Sequence, residues 1–183
     1  MKILRIIEIS LASAALLGLA LKAYGIEKGG LFVYLSLMIL GLLYLFSNVF
    51  LYEKNKRKTG LAIVSEIAFA FGVSSIMFKA QLIPNQPDTL LKTSIVFLAI
   101  IVAYIMYRLS KDKEYKDFYK KNQIRAVVIA LIGFAFYMIP ARTLAHVYFR
   151  HDPTLEELEI KAFEHPDEEK YHKELYDYKM KKE

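Results

Sequence analysis

Five long apolar runs constrain this chain more than any other feature: Ile3 to Tyr24, Leu31 to Tyr52, Leu61 to Leu82, Thr89 to Leu109 and Ile124 to about Ala145. Each is close to the ~20 residues that a helix rising 1.5 Å per residue needs to cross ~30 Å of hydrocarbon. In a bilayer every backbone polar group must be satisfied within the protein, and a single apolar run of this length does so as a helix. Composition agrees, since 55% of the 183 residues are hydrophobic, whereas a soluble domain carries about 45–50% on a wider count that includes Gly. The expected fold is all-α: a polytopic membrane protein with about five transmembrane helices. The first run has Lys2 and Arg5 before it and contains Ala-Ser-Ala-Ala, as a signal peptide would. Glu8 sits early in it, however, and another spanning run follows within a few residues, so it reads as a retained helix.

The net charge of +6 divides unevenly. Residues 1–149 hold 18 Lys+Arg against 8 Asp+Glu, and residues 150–183 hold 7 against 11. The first part is a transmembrane helical domain and the second an acidic extramembrane tail. Most of the positive charge falls in short connections, which makes it a topology signal and not a nucleic-acid surface. Lys2 and Arg5, the group Lys54, Lys56, Arg57 and Lys58, and the group from Arg108 to Arg125 (Lys111, Lys113, Lys116, Lys120, Lys121) should all be cytoplasmic. An odd helix count then puts the tail on the far side, the periplasm of a bacterial inner membrane. The connection Ser110 to Gln123 mixes charges with Tyr115, Phe118 and Tyr119, as does a short helix lying at headgroup level on anionic lipid. A plain solvated loop is the alternative. In the tail, Asp152 or Thr154 can cap a helix with Pro153 in its first turn, and Leu155, Leu158, Ala162 and Phe163 would share a face. A second piece, Asp167 to Met180, restarts after Pro166 with Tyr171, Leu175 and Tyr178 on one side.

An internal repeat is the most specific pattern. Glu8-Ile9-Ser10-Leu11-Ala12 matches Glu66-Ile67-Ala68-Phe69-Ala70, and Leu21-Lys22-Ala23-Tyr24-Gly25-Ile26 matches Phe78-Lys79-Ala80-Gln81-Leu82-Ile83; Ser36 and Ser94 continue the series. The expected architecture is two tandem helical hairpins, about 3–52 and 61–109, related by a pseudo-twofold axis along the membrane normal. The four helices would form a bundle with helices one and three equivalent. A fifth helix, about 124–149, and the helical tail are additions. Small residues favour close packing in helix one at Ala12, Ala14, Ala15 and Gly18 and in helix three at Ala68, Ala70, Gly72, Ser74 and Ser75.

Carboxylates and ammonium groups inside spanning helices are costly and are the candidate intramembrane sites: Glu8, Glu66, Lys22 and Lys79. Arg5, one turn before Glu8, offers it a partner. Glu66 has no basic residue three or four positions away and must find a partner on another helix or in water. Lys22 and Lys79 lie about 20 Å along the helix from those glutamates, beyond pairing reach, and are placed to extend toward the outer interface. The outer turns differ: Glu27-Lys28-Gly29-Gly30 reads as tight and Pro84-Asn85-Gln86-Pro87-Asp88 as stiff. Pro140 should kink or end helix five, and Arg142 with His146, four residues on, can form a polar cluster with Tyr137 or the tail. No catalytic constellation is apparent, and neither metal nor cofactor is expected: there is no Cys, and the histidines lack zincin spacing.

Gly18-Leu19-Ala20-Leu21-Lys22, the glycines Gly25, Gly29 and Gly30, and Leu35-Ser36-Leu37 together resemble the transmembrane hairpin of the stator-like subunit of the bacterial gliding and type IX secretion motor. Met77-Phe78-Lys79 and Pro84 carry the likeness into the second unit. The resemblance implies a related hairpin, doubled in one chain. In that family an acidic residue in the hairpin's second helix is implicated in proton coupling, whereas helices two and four here hold no Asp or Glu. The leading expectation is a non-enzymatic integral membrane subunit that contacts lipid and other membrane subunits. A proton- or ion-coupled element using Glu66, in a homo-oligomer or alone, is the alternative. A lipid-handling protein using Arg142 and His146 ranks third.

Overall fold

A computed structural model describes residues 2–26, 28–51, 59–83 and 87–181, without the side chains of 2–4 and 47–51. The basic group Lys54 to Lys58, Tyr52, Glu27 and Pro84 to Gln86 lie outside the described residues. The described residues form helices and their connections, with no strand among them. Its elements are α1 (Lys2–Ala23), α2 (Lys28–Leu51), α3 (Thr59–Ala80), α4 (Pro87–Lys111), a 3₁₀ turn (Lys113–Tyr115), α5 (Lys116–Met138), α6 (Ala141–Phe149), α7 (Pro153–Glu164) and α8 (Glu169–Met180). Four helices, α1 to α4, are long and apolar enough to cross a membrane. A fifth crossing is added if α5 and α6, bent by 84° at their junction, count as one broken span.

That bend follows from Pro140. The residue before a proline is driven out of the helical region, and Ile139 is extended (φ −90°, ψ 116°), its N–H bonded back to the Phe136 carbonyl. Helix five therefore stops at Met138 instead of running on to about 145–149, and α6 lies across the end of the bundle. At its other end α5 begins at Lys116, two turns before the apolar run. Phe118 and Tyr119 are 1% and 0% exposed and belong to the core. The expected headgroup-level helix is thus the start of α5, and its aromatic residues point inward instead of into lipid.

The helices pack unequally. α1 lies along α2, and α3 packs on α2, α4 and α5, with α4 also along α5. Only 11% of the first span is buried against 61% of the third. The expected bundle, with helices one and three in matching places, is not what forms, because α5 takes the position against α3 and α4 that symmetry reserves for α1. With no hydrophobic drive between helices in lipid, close backbone approach supplies the stabilisation. In the first hairpin Gly18 and Gly29 provide it, since a Cβ on Gly29 would collide with the backbone nitrogen of Lys22. Gly29 and Gly30 open α2 and do not form the turn, which is made by residues 24–26.

The ends of α1 and α3 correspond in detail. Ile26 donates its N–H to Leu21 and Gly25 to Lys22; Ile83 donates to Phe78 and Leu82 to Lys79. Both are Schellman closures, which need a left-handed residue. Gly25 (φ 77°) and Leu82 (φ 56°) supply it and are the two positive-φ residues among those described. Leu82 accepts the strain because its side chain is buried with Leu144, Ala145 and Tyr148 of α6. Ser36 and Ser94 are both buried in the helices that follow.

Candidate functional site

Toward one end of the bundle a layer of polar side chains crosses the apolar interior. Glu8 of α1 accepts two hydrogen bonds from Arg125 of α5, from Nε and Nη2, each 3.0 Å long. The Tyr44 hydroxyl of α2 donates to the same carboxylate at 2.7 Å, with the guanidinium 5.8 Å from the Tyr44 ring centre. The Glu8 and Arg125 side chains are 17% and 14% exposed. A bidentate, charge-assisted pair with a third donor is the strong form of ion pair at this depth. Glu8 therefore pairs across the fold and not with Arg5, its helical neighbour. The physical reason is reach: α5 packs on α3 and α4, and the long Arg125 side chain extends from it to Glu8 of α1 and over the Tyr44 ring of α2.

Glu66 of α3 lies in the same part of the bundle, 6% exposed, beside Ser65 at 0%. Asn122 of α5 is also wholly buried. Sequence reasoning singled out the two glutamates and missed Tyr44, Ser65, Asn122 and the role of Arg125. The signal for Arg125 was available, since two intramembrane carboxylates ask for a cation and Arg125 stands at the edge of the fifth apolar run.

The two candidate lysines are at the opposite end, and both are covered. Lys79 is 1% exposed and ion-paired with Asp88 in the first turn of α4. α4 thus begins before the apolar run and does contain an acidic residue. Lys22 donates from Nζ to the Ala80 carbonyl at 3.2 Å and to Gln81 Oε1 at 3.1 Å, which ties α1 to the C-terminal end of α3, where a cation is favoured. Gln81 in turn donates to the Gly30 carbonyl. The lysines are not extended to the interface because α6 and α7 lie over them: Lys22 is 4.3 Å from the ring centre of Tyr148, and Lys79 is 5.9 Å from that of Phe163.

Arg142 and His146 do not meet each other or Tyr137. Arg142 makes a bidentate pair with Glu164 (2.7 and 3.1 Å), and His146 Nδ1 lies 3.1 Å from Glu156. Both partners are on α7, so the cluster fastens the tail to the bundle. Arg142 holds the Glu164 carboxyl below the usual glutamate range by hydrogen bonding and charge. The tail is built as its residues dictate. Asp152 caps α7 by accepting from the Leu155 N–H at 3.1 Å, Pro153 starts the helix, and the Tyr178 hydroxyl of α8 returns to Asp152.

No protein-family model, curated protein or solved structure matches the chain. Among the described residues, no group of three or more His, Asp or Glu side chains is placed to hold a metal ion.

Proposed function

We propose that this chain is a non-enzymatic, multi-pass integral membrane subunit that packs against and stabilises a larger membrane complex. The observation that carries the proposal is the position of α1. It rests on one neighbour along its length and turns the small residues Ser10, Ser13 and Ala20 outward, all exposed. Small side chains on an apolar helix let another helix approach closely. The capped end gives the subunit a second, polar face made of α7 and α8. In this proposal the membrane is the bacterial inner membrane, the N-terminus is cytoplasmic, the tail is periplasmic, and the two hairpins descend from a duplication. The matching Schellman closures at Gly25 and Leu82, and the paired lysines before them, support the duplication. Kinship with the stator-like hairpin belongs to the same proposal.

A second reading, a proton- or ion-coupled element, is favoured by one observation: Glu66 is nearly buried at the level of the Glu8–Arg125 pair. Glu66→Gln separates the two. A packing subunit with this variant assembles normally, or less well, and changes no ion flux. A coupled element assembles normally and loses flux in proteoliposomes.

A further inference from the structure

Among the described residues, four buried side-chain atoms make no hydrogen bond: Ser65 Oγ, both amide atoms of Asn122, and Nη1 of Arg125. Their positions are related. Gly72 of α3 meets Ile129 of α5, and Ile76 of α3 meets Gly133 of α5, 57 positions on in both cases. The two helices thus run parallel in a fixed register. Seven residues, two turns, before Gly72 is Ser65, and seven before Ile129 is Asn122, so the register puts these two side chains at one level on the facing sides of α3 and α5. Arg125 is one turn further along α5 on the face of Asn122.

A buried amide, hydroxyl and guanidinium N–H without partners are each expensive, and native interiors leave few of them. The set is mixed: Oδ1 accepts, Nδ2 and Nη1 donate, and the hydroxyl does both. A cation would satisfy the oxygens and leave the nitrogens; an anion would do the reverse. The neighbouring guanidinium is already neutralised by Glu8. Water satisfies donors and acceptors together, and about two to four polar partners are what a buried water takes. The partly exposed Glu8–Arg125 pair supplies an approach from the surface.

We infer that Ser65, Asn122 and Arg125 form an internal water-binding site between α3 and α5, holding one or two ordered molecules beside the Glu8–Arg125 pair. The site stands whichever function the protein serves. It gives this level of the bundle a wet wall within an otherwise dry interface.

Hydroxyl-radical footprinting by pulsed X-rays tests it on the full chain in detergent, because radicals formed from bound water label adjacent side chains that bulk solvent does not reach. Phe69, 0% exposed and one turn beyond Ser65, is the reporter; Leu98 at 1%, beside Gly72, is the dry control. After rapid mixing into ¹⁸O water, Phe69 should keep ¹⁶O label from the slowly exchanging molecules. Asn122→Leu should reduce Phe69 labelling by about threefold or more, since the site loses its main polar wall. Should that variant fail to fold, Ser65→Val, which fills the same space from α3, is expected to give the same loss. Wild-type labelling of Phe69 no higher than that of Leu98, or labelling unchanged in a folded variant, overturns the inference.

Discussion

Arg125→Met isolates the Glu8–Arg125 ion pair. In the wild-type protein the guanidinium holds Glu8 through two bonds of 3.0 Å, and the side chains are 14% and 17% exposed. Removing one member of a buried pair costs about 3–5 kcal/mol, because the surviving charge stays behind without its partner. Here Tyr44 remains as a donor and both groups have some access to the surface, so the lower end, about 3 kcal/mol, is expected. Tyr44→Phe deletes one hydrogen bond to a charged acceptor, about 1.5–3 kcal/mol. The double variant Glu8→Leu/Arg125→Met removes both charges of the pair together and should lie within about 1 kcal/mol of wild type. Unfolding in mixed micelles, followed by far-ultraviolet circular dichroism as the denaturing detergent is increased, gives each difference. An Arg125→Met cost below about 1 kcal/mol, or a double variant equal to the sum of its singles, would refute the coupling on which this reasoning rests.

Three further outcomes are expected. Gly29→Ala should push α1 from α2 and destabilise the first hairpin by about 1–3 kcal/mol, as overpacking does; the same unfolding assay would show no change if the contact with the Lys22 backbone were unimportant. Leu82→Gly relieves a left-handed residue, a gain of about 1 kcal/mol, but gives up about 1.5–3 kcal/mol of buried side chain, so the net effect is loss and the α6 cap should become more open to protease; increased stability would contradict the anchoring role of Leu82. The Arg142–Glu164 pair fixes a pH dependence. A carboxyl held below its usual value, near 4.5 for glutamate, contributes to tail docking at neutral pH and loses that contribution as pH falls through the lowered value. The protection of α7 amides, taken relative to their intrinsic exchange rate at each pH, should therefore fall on acidification more in wild type than in Arg142→Gln, and parallel protection profiles down to about pH 3 would refute the pairing.

The four long apolar helices were legible because 20-residue apolar runs leave the chain few alternatives, and the break at Pro140 was legible because proline acts locally. Asp152 announced its own cap in the same way. The start of α5 was hidden, since its first two turns carry Lys116, Asp117, Lys120 and Lys121 on exposed faces and only Phe118, Tyr119 and Asn122 on the buried one. The partner of Glu8 was hidden for a different reason: it lies 117 positions away, and nearness in sequence favoured Arg5. The sequence of α1 and α3 alone places the lysines at the interface, because nothing in either helix reveals that α6 and α7 cover them. Symmetry misled in a third way. The C-terminal ends of α1 and α3 close alike, yet the surroundings of the two helices differ because α5 packs on α3 and no helix packs in the same way on α1.

Extraction of the tagged chain from its native membrane in a mild detergent, with native mass spectrometry of the intact particle, addresses the proposed role most directly. A packing subunit should come out in a particle of several times its own 21.1 kDa, with other membrane proteins present in fixed stoichiometry. A particle made of this chain alone, as a monomer or a symmetric ring, would contradict that role and direct attention to ion movement at Glu66.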